Sequence, residues 1–177
     1  MILSGSNILF PGLEYAPLAD ALREWYSVLI PSKFGYGFSD LTEAPRDVDT
    51  VVEEYRRVLA ALKHPFPVVL AAHSMGFLEA LHWASKYPEE ISALVGLDPA
   101  TPDAYQNMDL ASVPTLFLLS NGKGTPLPKE EWRMCARNYL SAFSTSSFHL
   151  FELPHDLYRQ RPKEIADTVH RFLLDHL

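Results

Sequence analysis

The stretch that most constrains the fold of this chain is residues 68–76, Val-Val-Leu-Ala-Ala-His-Ser-Met-Gly. Its first five residues are small or apolar, which predicts a buried parallel strand over 68–72. Ser74 then falls on a sharp turn, and a run of good helix formers over 77–86 follows at once. A strand, a tight turn with serine at its apex and a helix form a setting that lifts a serine hydroxyl above the edge of a sheet.

The residues around Ser74 suit such a turn. Because the turn is strained, the positions two before and two after the serine must be small, and here they are Ala72 and Gly76. The Met75 N–H, at the start of the helix, is expected to point towards whatever the hydroxyl attacks. The alternative interpretation is a serine in an ordinary strand-to-helix connection.

The run His73-Ser74-Met75-Gly76 resembles the nucleophile elbow of the α/β-hydrolase fold family. Most members have glycine at both small positions, so Ala72 is a departure that a small side chain tolerates. The resemblance covers nearly the whole chain, except for two N-terminal strands that are common in the family. It implies a minimal α/β-hydrolase fold without a cap domain, as a single domain over residues 1–177.

The hydrophobic pattern predicts the same class of fold. Six strands that alternate with helices indicate an α/β protein with a doubly wound, mostly parallel six-stranded sheet. The strands are expected at 7–10, 27–30, 68–72, 91–97, 114–120 and 147–153. The helices are expected at 18–26, 47–62, 77–86, 129–143 and 162–176. The connection over 100–113 is too short for a cap, which predicts a small, open cleft.

Composition excludes several classes of protein. The chain of 177 residues can bury a sizeable core, and its net charge of -7 offers no basic surface to a nucleic acid or an anionic membrane. Cys135 is the single cysteine, the N-terminus does not read as a signal peptide, and no apolar run is long enough to span a membrane, so we expect a cytoplasmic protein. No cysteine and histidine spacing is typical of a metal site, and no metal or cofactor is expected. The oligomeric state stays open.

Two backbone N–H groups are expected to form an oxyanion hole. The predicted strand 7–10 ends at Pro11-Gly12-Leu13, and in the family the N–H just after this glycine is one donor. The resemblance therefore implies Leu13 and Met75 as the donors. Pro11 stands where histidine is commoner, and a plain Pro-Gly turn remains an alternative.

A glycine-rich loop follows the second predicted strand. Residues 34–40, Phe-Gly-Tyr-Gly-Phe-Ser-Asp, are similar to the Gly-x-Gly-x-Ser-Asp loop of many family members. A phosphate-binding loop is the rival interpretation, but the lysine and spacing of that motif are missing. Loop position alone suggests an apolar lining for the cleft by Phe34, Tyr36, Tyr105, Met108 and Leu127.

A serine hydroxyl needs a base, and seven histidines are candidates. His155 follows the last predicted strand, at the sheet edge where active sites of open parallel sheets form. The sequence Leu153-Pro-His155, a polar loop and a helix that begins at Pro162 resemble the family's histidine loop. His73 adjoins the nucleophile, so its side chain is expected to point away from that of Ser74.

The orienting acid departs from the usual family pattern. Most members carry it after the strand before the last, but the loop over 120–128 holds no carboxylate. A minority place it one strand earlier, which is Asp98, and the order Ser74, Asp98, His155 preserves the family's Ser, Asp, His order. An Asp98 that only caps its turn stays open. Asp103, Asp109 and Asp156 also remain alternatives for the orienting acid, as does a Ser–His pair without an acid.

The resemblance implies a serine hydrolase that cleaves a small-molecule acyl substrate, a carboxylic ester, through an acyl-enzyme on Ser74. Thioesters, lactones and activated amides use the same residues. A dehalogenase or epoxide hydrolase of this fold would need a carboxylate at position 74. The alternative from another class is a catalytically inactive member that binds a ligand or a partner, and a peroxidase or acyltransferase side activity also stays open.

Overall fold

The computed structural model describes residues 1–101, 112–141 and 143–177. These residues form five strands and seven α-helices. The strands are β1 (Ile2–Leu3), β2 (Val68–His73), β3 (Ile91–Leu97), β4 (Thr115–Leu119) and β5 (Ser146–Leu150). The helices are α1 (Pro11–Glu14), α2 (Ala16–Leu22), α3 (Val48–Ala61), α4 (Gly76–Lys86), α5 (Lys129–Leu140), α6 (Leu157–Gln160) and α7 (Pro162–His176), and a 3-10 turn covers Pro88–Glu90.

The sheet is parallel, and its strands pair in the order of the sequence from β1 to β5. Leu3 lies opposite Ala72, and His73 lies opposite Leu97, which in turn pairs with Leu118. Because all strands run the same way, the residues that follow them emerge at one edge of the sheet. That edge is where open α/β sheets bind ligands.

Successive strand residues face opposite sides, and each side has its own core. Leu70 and Phe117 pack in one core with residues of α3, α4 and α5. Ala71 and Leu116 pack in the other core with residues of α2, α6 and α7. Helices therefore cover both faces, which confirms the predicted doubly wound α/β fold.

Two of the six predicted strands are wrong. Residues 7–10 form no strand, and the first strand is instead β1, whose Ile2 and Leu3 are completely buried. The strand was predicted from the longer apolar run at 8–10, yet Leu9 and Phe10 are exposed. Residues 27–30 run beside β1, since the Ile2 N–H donates to the Leu29 carbonyl at 2.8 Å, but they form no strand.

The predicted helices agree with the structure apart from their ends. The helix predicted at 18–26 is Ala16–Leu22, and the one predicted at 129–143 ends at Leu140. Asp47 caps α3, because its side chain accepts the Thr50 N–H at 2.9 Å. Within the described ranges, no helix combines the length and apolar character needed to cross a membrane.

Candidate active site

Ser74 occupies a strained turn between β2 and α4. Its φ of 50° lies in the left-handed region, which is costly for a residue with a side chain. The surrounding backbone holds it there: the Ser74 N–H donates to the Leu97 carbonyl at 3.3 Å, and its carbonyl accepts the Ala100 N–H at 3.0 Å. Both partners belong to β3 and the residues after it, so the neighbouring strand maintains the strained serine.

Two glycines let the loop after β1 pack against this turn. A β carbon on Gly76 would lie 2.6 Å from the Ser4 carbonyl oxygen, and one on Gly5 would lie 3.1 Å from Cβ of Ser74. Any larger residue at position 76 would therefore push the loop away. The expectation that position 76 must be small has this close approach as its physical reason.

The structure corrects the expectation for Leu13 as an oxyanion donor. Leu13 lies in α1, is 73% exposed, and its N–H donates to the Phe10 carbonyl at 3.0 Å. The error follows from the misplaced first strand. Because β1 ends at Leu3, the backbone that packs against the Ser74 turn is that of Ser4 and Gly5, not that of the Pro11-Gly12-Leu13 segment.

Within the described part of the chain, the N–H groups of Ser6 and Met75 have no hydrogen-bond acceptor. The Gly5 N–H, in contrast, donates to the Tyr15 hydroxyl at 3.4 Å. Ser6 is therefore a candidate donor that sequence reasoning did not consider, although a signal existed. Ile2 and Leu3 are followed at once by the small residues Ser4 and Gly5, a pattern that suits the end of a short buried strand.

Asp98 and His155 form a close pair. Asp98 directly follows β3, is completely buried and has a φ of 48°. Its Oδ2 lies 2.5 Å from Nδ1 of His155, a geometry in which Nδ1–H donates to the carboxylate. Its Oδ1 accepts the Ser120 N–H and the indole N–H of Trp132, each at 2.8 Å. In a neutral ring, this arrangement leaves Nε2 as the basic nitrogen.

The loop over 121–128 supports His155 instead of supplying the acid. The His155 N–H donates to the Lys123 carbonyl at 2.8 Å. A β carbon on Gly124, whose φ is 90°, would lie 3.2 Å from Cβ of His155. The segment that lacks a carboxylate therefore packs directly on the histidine, while the carboxylate reaches it from β3.

His73 lies behind the pair. Its ring centroid is 4.5 Å from that of His155, and its Nε2 is 3.3 Å from the His155 carbonyl oxygen. Burial, helped by the neighbouring His155, lowers the pKa of His73 to about 4. At neutral pH a neutral His73 therefore donates Nε2–H to that carbonyl, and its Nδ1 has no partner among the described residues.

No hydrogen bond joins Ser74 Oγ to His155 within the described residues. In uncomplexed hydrolases this contact is often long and tightens only when substrate binds. Asp156 adjoins His155, but its Oδ2 accepts the Gln160 amide at 3.1 Å. Asp103 and Asp109 lie outside the described residues.

The predicted apolar lining is only partly described, since Tyr105 and Met108 lie outside the described residues. Phe34 lines a surface cavity together with Tyr55 and Val58 of α3, and neither Ser74 nor His155 lines that cavity. The prediction that Phe34 lines the catalytic cleft is therefore not supported. Tyr36 belongs to the same loop as Phe34, and Leu127 lies in the loop that packs on His155.

Exposed apolar side chains instead surround the segment after β1. Phe38 is 96% exposed and contacts Phe10, with ring centroids 5.7 Å apart. The Gly37 N–H donates to the Leu9 carbonyl at 2.5 Å, which joins this loop to the one that leads from Ser6. Met75, next to the serine, is also exposed. Exposed apolar side chains thus lie next to Ser74, at Met75, and on the two contacting loops that carry Phe10 and Phe38.

Comparisons with known proteins agree with this fold. The chain is 34% identical over 116 residues to the uncharacterized protein YbdG of Bacillus subtilis strain 168, a match that covers 66% of this chain and 36% of that protein. The chain thus spans about a third of the length of this curated relative.

Solved structures are similar over almost the whole chain. A predicted CIB-like hydrolase from Thermoplasma acidophilum aligns with a TM-score of 0.82 at 20% identity, over 97% of this chain and 84% of that one. A thermophilic esterase from Thermogutta terrifontis aligns with a TM-score of 0.79 at 16% identity, over 99% and 90%. At these identities the likeness shows the fold. A family model described as alpha/beta hydrolase fold matches residues 9–137, and the chain therefore belongs to the α/β-hydrolase fold family.

Proposed function

We propose that this protein is a serine hydrolase that cleaves carboxylic esters through an acyl-enzyme on Ser74. One observation carries the proposal: the completely buried Asp98 holds His155 at 2.5 Å, at the sheet edge where Ser74 sits in a left-handed turn. A hydroxyl, a base and an orienting acid at one edge are what nucleophilic acyl transfer requires. Membership of a hydrolase family supports the same reaction class.

In the proposed reaction, Nε2 of His155 takes the Ser74 proton while Oγ attacks the acyl carbonyl. The developing oxyanion accepts hydrogen bonds from the N–H groups of Met75 and Ser6. Ser6 takes the place of Leu13 in this role. The alcohol leaves with the proton from His155, and water then hydrolyses the acyl-enzyme by the same route. Asp98 keeps the ring in the tautomer with Nδ1–H and stabilises the imidazolium.

The backbone donors matter as much as the side chains. Removal of one oxyanion donor typically costs about 3 kcal/mol of transition-state stabilisation. The close packing of Gly5 against Ser74 supports Ser6 as a donor, because it brings the backbone next to Ser6 against the turn that carries the nucleophile. A residue with a β carbon at position 5 would move this donor.

The proposed substrate is a small ester with an apolar acyl group. Met75, which is exposed next to Ser74, favours such a group over a charged one, and the exposed Phe10 and Phe38 of the loops after β1 add apolar surface. Thioesters, lactones and activated amides would react with the same residues. Of the solved structures with this fold, one is an esterase, which supports the choice of ester.

The test is labelling with a fluorophosphonate together with hydrolysis of p-nitrophenyl acetate and butyrate. The wild type is expected to be labelled and active, and Ser74→Ala to lose both properties. Ser141→Ala, which changes an exposed serine at the end of α5, is the matched control and should behave as the wild type. A folded wild type that is neither labelled nor active would contradict the proposal and favour a ligand-binding protein.

A further inference from the structure

We propose that Trp132 is a positioning residue that holds Asp98 in the orientation that His155 requires. This inference rests on the proposed function. Trp132 lies in the first turn of α5, and its indole N–H donates to Oδ1 of Asp98 at 2.8 Å. It touches the acid and not the reacting atoms.

The two oxygens of Asp98 have different partners. Oδ1 accepts two neutral donors, the Ser120 N–H and the Trp132 indole, whereas the partner of Oδ2 among the described residues is His155. A carboxylate that has lost all contact with water needs hydrogen bonds to stay ionised. Because neutral donors supply them, the negative charge is not cancelled and remains available to the imidazolium that forms during the reaction.

The indole ring of Trp132 also packs against His155. The rings of Trp132 and His155 are nearly perpendicular, at 88°, with centroids 6.0 Å apart. One side chain therefore contacts the acid through its N–H and borders the base through its ring. A change in the position of Trp132 would alter both members of the pair.

Arg133, the next residue, fixes α5 to the ends of two strands. Its Nε donates to the Ser120 carbonyl and its Nη2 to the Phe151 carbonyl, both at 2.7 Å. Ser120 supplies the other donor to Asp98, and Phe151 follows β5 on the way to His155. The buried guanidinium thus sets the distance between Trp132, the acid and the base.

Loss of the indole donor should loosen the hold of the carboxylate on His155. With the Ser120 N–H as the remaining donor to Oδ1 among the described residues, the carboxylate is oriented less firmly, so the hydrogen bond from Nδ1–H to Oδ2 is expected to lengthen and the Nδ1–H proton resonance to shift upfield. The other titratable groups around the pair are His73, 4.5 Å from His155 between ring centroids, and Asp156, its neighbour in sequence. Both are unchanged in a Trp132 variant, so the shift would report the lost donor.

The experiment follows the His155 imidazole by ¹H–¹⁵N NMR as a function of pH in the wild type, Trp132→Phe and Trp83→Phe. Trp83 is a matched control, because it is also buried and donates its indole N–H to a carboxylate, Glu90, at 2.8 Å. Trp132→Phe should shift the Nδ1–H proton resonance of His155 upfield, because the hydrogen bond to Oδ2 of Asp98 lengthens. Trp83→Phe should leave it unchanged. The activity of Trp132→Phe at pH 7 should fall about tenfold in kcat with little change in KM.

A third variant, Trp132→Gln, places an amide N–H at a similar reach. In this variant the Nδ1–H resonance of His155 should lie closer to that of the wild type than to that of Trp132→Phe, and the variant keeps the test decisive if the phenylalanine variant fails to fold. An Nδ1–H resonance at the same position in the wild type and in Trp132→Phe would overturn the role of Trp132. The NMR readout needs no turnover, so a shift in a protein that hydrolyses no ester would support the positioning role while contradicting the proposed hydrolase.

Discussion

Two buried carboxylates in this protein each accept a tryptophan N–H at 2.8 Å, yet their other partners differ. Glu90, beside Trp83, also accepts the Arg56 guanidinium at 2.7 Å. Asp98, beside Trp132, meets the imidazole of His155. Exposure does not distinguish them, because Glu90 is 7% exposed and Asp98 is completely buried. The difference lies in whether the partner keeps its charge at all pH values.

Arg56 is always protonated, so Glu90 is part of a permanent ion pair. Burial by itself raises the pKa of Glu90, but the hydrogen bonds from Arg56 and Trp83 outweigh it and hold the pKa below its ordinary value. Such a pair fixes α3 to the turn that precedes β3. Asp98 instead faces a ring that can gain and lose a proton, as its proposed role in orienting His155 and stabilising the imidazolium requires.

The sharpest way to separate the two sites is to neutralise each carboxylate without a change of shape. In Asp98→Asn, the amide oxygen can still accept from Ser120 and Trp132, so the amide NH₂ must face Nδ1 of His155. This selects the wrong tautomer, and kcat/KM is expected to fall about 10³- to 10⁴-fold. Asparagine also tolerates the left-handed backbone at this position, so folding should survive.

Glu90→Gln is the matched control. It should keep esterase activity within about twofold while it lowers the free energy of unfolding, since the Arg56 pair is lost. Steady-state kinetics and urea denaturation measure both effects. An Asp98→Asn enzyme within tenfold of the wild type would show that another group orients His155 and would remove the distinction between the sites.

Removal of Arg56, the permanently charged partner of Glu90, tests whether the Arg56–Glu90 pair stabilises the fold. Arg56→Met keeps the packing of the stem but leaves Glu90 buried with only the Trp83 N–H. The expected loss is about 3 kcal/mol of unfolding free energy, at the low end for a broken buried pair because the guanidinium is partly exposed. Urea denaturation measures the loss. Unchanged stability would mean that water replaces the guanidinium, and lost activity in a folded variant would mean that the two sites are coupled.

The sequence predicted the long buried strands better than the short one at the edge of the sheet. The candidate residues Ser74 and Asp98 directly follow β2 and β3, and long apolar runs are read reliably. Strand β1 has only two residues, too few for a periodic signal, so the apolar run at 8–10 was taken in its place. The same error placed an expected oxyanion donor at Leu13, whose N–H donates to the Phe10 carbonyl instead.

The donors to Asp98 could not be predicted for a different reason. Trp132 is 34 residues away in the sequence and reaches the acid only because α5 packs beside β4. A tryptophan in an amphipathic helix is most simply a core residue, and nothing in its local pattern distinguishes it from Trp83. Contacts of this kind depend on the tertiary arrangement, and no local spacing of residues in a single sequence indicates them.

The dependence of stability on pH gives the smallest but most selective contrast between the two regions. His73, beside the catalytic pair, has a folded pKa of about 4 against an ordinary value of 6.5. Between these values the unfolded chain binds a proton that the folded protein does not, so stability falls as pH is lowered through this window. Glu90, whose pKa is depressed, keeps its contribution until the pH falls below the ordinary value of 4.5.

Lowering the pH from 7.5 to 5 should therefore cost about 2 kcal/mol of unfolding free energy through His73 alone, with the Glu90 site unaffected. Chemical denaturation across this range measures the slope, and His73→Gln is the variant to compare, because glutamine keeps a neutral N–H donor near the His155 carbonyl. The variant should show a flatter pH dependence than the wild type, whereas Glu90→Gln should be less stable by a constant amount. Parallel curves for the wild type and His73→Gln would mean that the buried imidazole takes up its proton without loss of the fold, and the region around the catalytic pair would then be as insensitive to pH as the Arg56–Glu90 pair.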